Sequence, residues 1–239
     1  SAMITTSIAK RYCGPPQSGN GGYSCGLLGK QIDGPSKVRL HVPPPLDSDL
    51  TIEQAADSWV LKQAELLIGT AIAAQLDMIP PQPPSLEQAR AARENYKGLG
   101  EHSFPHCFVC GPGREQGDGL RLFTGNVNGQ EMVACDWEPT VDLLDANGQV
   151  KAEFIWSALD CPSYFALNVP VDPDAVCLLG EMTASIDKPV PGDQSLIVYA
   201  WKRSIEGRKH YSAAALCTAQ GEVLARAEHL WIRLNKSPS

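Results

Sequence analysis

The chain has 239 residues, 43% of them hydrophobic, which suits one large core or two small ones and excludes a disordered chain. A formal charge of −7 and an isoelectric point near 5.2 argue against a nucleic-acid or anionic-membrane partner, and no basic cluster offsets the surplus acid. With no run of about 18 apolar residues and no charged-then-apolar leader, the sequence reads as a cytoplasmic protein without membrane insertion.

Ser1-Ala2 ahead of Met3 reads as a tag remnant. Arg11 to Gly29 opens as a Gly/Pro/Asn loop and closes as a helix start, with Ser18 and Asn20 as good caps and Tyr23, Leu27 and Leu28 beginning an apolar face. Gly21 and Gly22 there expose bare backbone N–H groups at the positive end of the helix dipole. Such groups suit an anion or a polarised carbonyl, and a plain flexible glycine turn fits the residues equally well. Four strand-like runs follow, at Ser36 to Pro43, Asp49 to Ala55, Ser58 to Gln63 and Leu66 to Ala74. Residues 58–75 also fit a helical period, through Trp59, Val60, Gln63, Ala64, Leu67, Ile68 and Ala71. Residues 79–100 change composition, from a proline-rich spacer to a short helix started by Ser85 and Glu87, and read as a linker.

The sequence of the C-terminal half predicts strands at Leu120 to Thr124 and Glu131 to Trp137, then a helix within Gln149 to Cys161. Phe154, Ile155, Ala158 and Leu159 give that helix one apolar stripe. Glu153, Trp156 and Asp160 share a second stripe, and Pro162 predicts a kink or an end just beyond Asp160. On spacing alone Asp160 reads as a solvated helix residue; its alternative is a catalytic carboxylate. Four longer strands close the chain, at Val176 to Ile186, Gln194 to Arg203, Lys209 to Ala219 and Val223 to Leu234. Of the late histidines, His210 and His229 read as surface or satisfied core residues.

Eight cysteines in a chain this long are too few for a disulfide scaffold, and Cys25, Cys161, Cys177 and Cys217 sit in apolar segments as buried thiols. The stretch His102-Ser-Phe-Pro-His106-Cys107-Phe-Val-Cys110-Gly111 offers four zinc-type ligands in His102, His106, Cys107 and Cys110. Four ligands within nine residues are cramped and no second Cys-x-x-Cys completes them, so a tight structural turn is expected, with no metal and no cofactor.

Both halves run from a loop to one helix and on to four consecutive strands joined by short turns, which makes residues 58–75 a hairpin by analogy with the second half. The organisation expected is a first half over 1–78, a linker over 79–100 and a second half over 101–239. A Gly-rich loop, a helix and an antiparallel sheet around it resemble the hotdog fold, and two copies resemble a double hotdog: α+β, with two antiparallel sheets each wrapped around a central helix. In the thioesterases of that superfamily, of the phenylacetate-pathway and hydroxybenzoyl-CoA type, a His-Gly-Gly-like turn starts the helix and an acid follows two turns later. Here Asn20-Gly21-Gly22-Tyr23 is similar to the turn, with Asn in place of His, while the acid's place in that half falls at Gly29. In the second half the turn is Lys151-Ala152-Glu153 and the acid's place is filled by Asp160. Phe108 to Pro112 and Gly117 to Leu120 also resemble the segment ahead of the first strand in such proteins.

The resemblance implies one composite site that hydrolyses an acyl-CoA or acyl-carrier thioester. The Gly22 and Tyr23 N–H groups would polarise the carbonyl, Asp160 would act as general base or nucleophile, and Asn20 would orient water or substrate. Gly21, Glu153 and Trp156 would bind substrate, with the acyl tail in a channel between the two helices. The lost His and second acid leave open a non-catalytic acyl-CoA- or lipid-binding module, and the edge strands leave open a homodimer.

Overall fold

Residues 2–235 are described in the computed structural model; Ser1, half of the proposed tag remnant, and residues 236–239 at the end of the second half lie outside them. The elements in chain order are β1 (Met3–Thr6), α1 (Gly21–Gly29), β2 (Ser36–Leu40), β3 (Leu50–Ala55), β4 (Ser58–Gln63), β5 (Leu66–Ala73) and α2 (Leu86–Ala92). They continue with β6 (Gly125–Asn126), β7 (Val133–Trp137), α3 (Ala152–Ala158), α4 (Cys161–Phe165), β8 (Ala175–Ile186), β9 (Leu196–Glu206), β10 (Lys209–Thr218) and β11 (Val223–Asn235). Residues 58–75 form a hairpin, with Trp59 opposite Ala71 and Leu61 opposite Gly69; the buried Leu61 and Ala71 then share one face, and Ile68, skipped by the register shift beside Leu61, packs into the same core, which outweighs the helical period.

The expectation of two sheets is corrected. The strands form a single 11-stranded antiparallel sheet in the order β1-β3-β4-β5-β2-β8-β11-β10-β9-β7-β6. The join is β2 on β8, from Ser36 opposite Ala184 to Arg39 opposite Glu181. Pairing these two strands satisfies rows of N–H and C=O groups that separate sheets would leave as exposed edges.

One local reading also changes. Residues 120–124 do not enter the sheet: the Leu120 and Leu122 N–H groups donate to the carbonyls of Phe108 and Val109, and Arg121 with φ 52° interrupts the extended run. The segment that the sequence assigns to a linker makes contacts with the sheet. Ser85 and Gln88 form the capping box that starts α2, whose Ala89 and Ala92 pack with Ile197 and Tyr199. Ahead of it, the Tyr199 hydroxyl donates to the Pro81 carbonyl and Arg226 donates to those of Leu76 and Met78.

The two halves meet at α1 and α3, and glycine sets their separation. Gly22, Gly26 and Gly29 recur at i, i+4 and i+7 and turn one face of α1 toward α3. A methyl carbon on Gly26 would lie 2.8 Å from Glu153 Cα, and one on Gly29 would lie 2.5 Å from the Trp156 ring. Gly29, the place where the resemblance sought an acid, is thus occupied by a packing contact.

Candidate active site

The helix foreseen over 149–161 is two helices. α3 ends at Ala158, Asp160 stands at the break with ψ −82°, and Pro162 lies in the first turn of α4. The break turns Asp160 inward: it is 2% exposed, so the solvated reading is overturned. Its Oδ2 accepts the Gly22 N–H at 2.8 Å, a hydrogen bond from the second half of the chain to the N-terminus of α1. Its Oδ1 is buried with no hydrogen-bond partner among the described residues. Burial pushes the Asp160 carboxyl up to about 7, against the opposing pull of the Gly22 and Asn20 hydrogen bonds.

Asn20 caps α1 as the sequence implied, its Oδ1 accepting the Tyr23 N–H at 2.9 Å. Its Nδ2 points the other way, 3.5 Å from Cys107 Sγ and 3.7 Å from Cys161 Sγ. Of the first three α1 N–H groups, those of Gly22 and Tyr23 are therefore bonded within the protein, and Gly21 supplies the remaining first-turn donor.

A cavity of about 590 Å³ opens beside this turn, lined in part by Asn20, Gly21, Phe104, Asp160, Leu179 and Trp231. That volume falls in the range of small-molecule sites, about 300–1,000 Å³. The cavity lies between the α1 turn, residues 101–110 and strands β8 and β11, not between the helices: α1 and α3 touch directly through the glycine face, which leaves no channel there. Of the foreseen site residues, Asn20, Gly21 and Asp160 reach the cavity. Gly22 stands behind them as donor to Asp160. The Tyr23 ring is buried on Tyr12, centroids 4.4 Å apart, away from the cavity lining. Glu153 pairs with Lys30 at 3.3 Å, and the Trp156 ring fills the space above Gly29; neither lines the cavity.

The sequence reading missed the cavity wall from β8 and β11, and it missed what Cys161 does. The three sulfurs of Cys107, Cys110 and Cys161 lie within 4.8 Å of one another, at the cavity beside Asp160. His106, counted earlier with Cys107 and Cys110, is exposed and packs against Gly113. Adjacency of Cys161 to Asp160 was the one available signal, and nothing in sequence spacing brings residue 161 to residue 107. Of the two readings offered for His229, surface and core, the structure places it in the core.

Solved structures with this architecture are known. The chain is similar to the tesB protein of Mycobacterium avium subs paratuberculosis, with 11% identity, TM-score 0.62, and 97% of this chain and 93% of that one covered. It is similar to a hot dog fold protein from Alicyclobacillus acidocaldarius, with 12% identity, TM-score 0.60, and 99% and 94% covered. It is likewise similar to an acyl-CoA thioesterase II from Mycobacterium marinum, with 12% identity, TM-score 0.56, and 93% and 91% covered. No protein-family model and no curated protein matches the sequence. At such identities the likeness defines the fold: the chain is a double hotdog protein. Among the described residues no helix is long and apolar enough to cross a membrane.

Proposed function

We propose that the chain is a thioester hydrolase acting on an acyl group carried by coenzyme A or an acyl-carrier protein. The observation that carries this reading is Asp160, a buried carboxylate from the second half of the chain set on the α1 N-terminus of the first, at the head of a largely apolar cavity. The thioesterase name of the Mycobacterium marinum neighbour points the same way.

In this mechanism the acyl chain lies against Leu179, Phe104 and Trp231, with the thioester carbonyl at the α1 turn. Asp160 takes a proton from a water molecule as that water attacks the carbonyl carbon. The oxyanion forms beside the Gly21 N–H and the positive end of the α1 dipole, and its collapse expels the carrier thiolate. Gly22 holds the carboxylate, Tyr23 holds Asn20, and Asn20 fixes the turn; Glu153 and Trp156 act one layer back by seating α3 on α1. The unpaired Cys107 and Cys161, with sulfurs 3.6 Å apart, suit a reducing compartment such as the cytoplasm.

A second reading, an acyl-binding module without turnover, is favoured by one observation: the Gly22 and Tyr23 N–H groups are already bonded to protein acceptors. A thiol-release assay over short, aromatic and long acyl-CoAs and acyl-pantetheines separates the two. Release above the uncatalysed rate supports the hydrolase. Ligand-induced thermal stabilisation with no release across the panel refutes it.

A further inference from the structure

We propose that Cys107, Cys110 and Cys161 form a three-thiolate site for a zinc-class divalent cation in the cavity wall, its fourth coordination position facing the cavity beside Asp160. The proposal stands whether or not the cavity hydrolyses a thioester, and it departs from the ligand set that the sequence suggested.

The three sulfurs come from two distant segments. Cys107 and Cys110 flank a tight turn, in which the Gly111 N–H donates to the Cys107 carbonyl at 2.9 Å and any side chain on Gly111 would collide with the Pro105 carbonyl. Cys161 opens α4, where the break after α3 turns it toward that loop. Cys107 Sγ and Cys161 Sγ are 3.6 Å apart, and all three sulfurs lie within 4.8 Å of one another. A tetrahedral zinc ion with bonds of about 2.3 Å needs its sulfurs roughly 3.8 Å apart, so closing the site takes shifts of about 1 Å or less.

Each sulfur also faces a nitrogen donor. Asn20 Nδ2 reaches Cys107 and Cys161, and His102 Nε2 lies 3.2 Å from Cys110 Sγ. His102 Nδ1 accepts the Phe104 N–H at 2.9 Å, so in the neutral ring the proton sits on Nε2 and points at sulfur. His102 is therefore an outer donor to a thiolate and not a ligand. Donors on every sulfur offset the single negative charge left when three thiolates hold a divalent cation, as in the outer shells of metal–thiolate sites. The fourth position has a polar neighbour in place: Asp160 Oδ1 is buried without a partner among the described residues, and Oδ2 is 4.0 Å from Cys161 Sγ. Binding deprotonates the thiols and releases their protons to solvent, with no change in oxidation state.

The test is anaerobic titration of the reduced, metal-free protein with cobalt(II), read by absorption and needing no turnover. The expected result is one cobalt per chain with sulfur-to-cobalt charge-transfer bands and intense tetrahedral visible bands. Both are lost in Cys161→Ser and kept in Cys217→Ser, which lies in β10 outside the cavity lining. His102→Phe, which removes only the outer donor, should weaken the affinity by roughly 10–100-fold. Because Cys161→Ser risks misfolding, zinc-edge X-ray absorption of the wild type is a second readout, with three sulfur scatterers expected. A wild type that binds no cobalt overturns the proposal, as does binding without thiolate bands or bound cobalt that survives Cys161→Ser.

Discussion

Replacing Gly26 by alanine tests the claim that glycine sets the α1–α3 contact on which the site depends. The added methyl would sit 2.8 Å from both Glu153 Cα and Trp156 Cβ. The first of these is backbone and cannot swing aside, so α3 must retreat from α1. Overpacking of this kind costs about 1–3 kcal/mol, while the gain in helix propensity from Gly to Ala returns up to about 1 kcal/mol. The net expected loss is about 1–2 kcal/mol, which in a chain of this size lowers the melting temperature by roughly 2–8 °C. Retreat of α3 also draws Asp160 off the Gly22 N–H, so turnover should fall together with stability. The assay is urea denaturation followed by tryptophan fluorescence and circular dichroism. Gly100→Ala serves as control, since its methyl would meet only the Lys97 carbonyl at 3.7 Å and should be neutral. A Gly26→Ala protein as stable as the wild type would refute the reasoning.

The buried His229 should make stability fall in mild acid. Burial lowers its pKa to about 4 from 6.5, so the unfolded chain binds the extra proton between those limits and stability is lost as pH falls from about 6.5 to 4. The loss approaches about 3 kcal/mol for such a shift. His229→Leu should be relatively more stable than the wild type at pH 4.5 than at pH 7 by that order. Comparing the two proteins cancels other titrations, Asp160 among them, whose raised pKa acts with the opposite sign; an equal difference at both pH values would sink this account. Ser163 accepts the Trp231 indole N–H at 2.9 Å and donates to the Asp160 carbonyl at 2.7 Å. Ser163→Ala leaves a buried indole N–H unpaired and should cost about 1–3 kcal/mol in denaturation midpoints, whereas an unchanged midpoint would show that the N–H finds another acceptor.

The parts of this fold legible in sequence were those governed by local pattern. Period-2 runs and Gly or Asp turns place β3, β4, β5 and β8 to β11 within a few residues, and Asn20 and Ser85 mark two helix starts through capping chemistry. The β2–β8 join was not legible, because pairing between strands so far apart in sequence leaves no local trace. Asp160 was singled out by its place on a helix, yet its burial depends on the break between α3 and α4 and on α1 packed above it. The spacing of the glycines at 22, 26 and 29 has no local explanation, and only the partner helix accounts for it. Gly22 and Tyr23 were read as free donors because the acceptors that occupy them, Asp160 and Asn20, become neighbours through the fold and the cap. The sulfur cluster was half visible as Cys-x-x-Cys; its third member arrives by tertiary folding.

The most direct measurement is the steady-state rate of acyl-CoA hydrolysis by Asp160→Asn beside the wild type, with melting temperatures recorded for both. Asparagine preserves shape and can still accept the Gly22 N–H, so the fold should hold while the base is lost. The account predicts kcat lower by about 10²–10⁴-fold at an unchanged or higher melting temperature. Hydrolysis at the wild-type rate by the folded variant would contradict it.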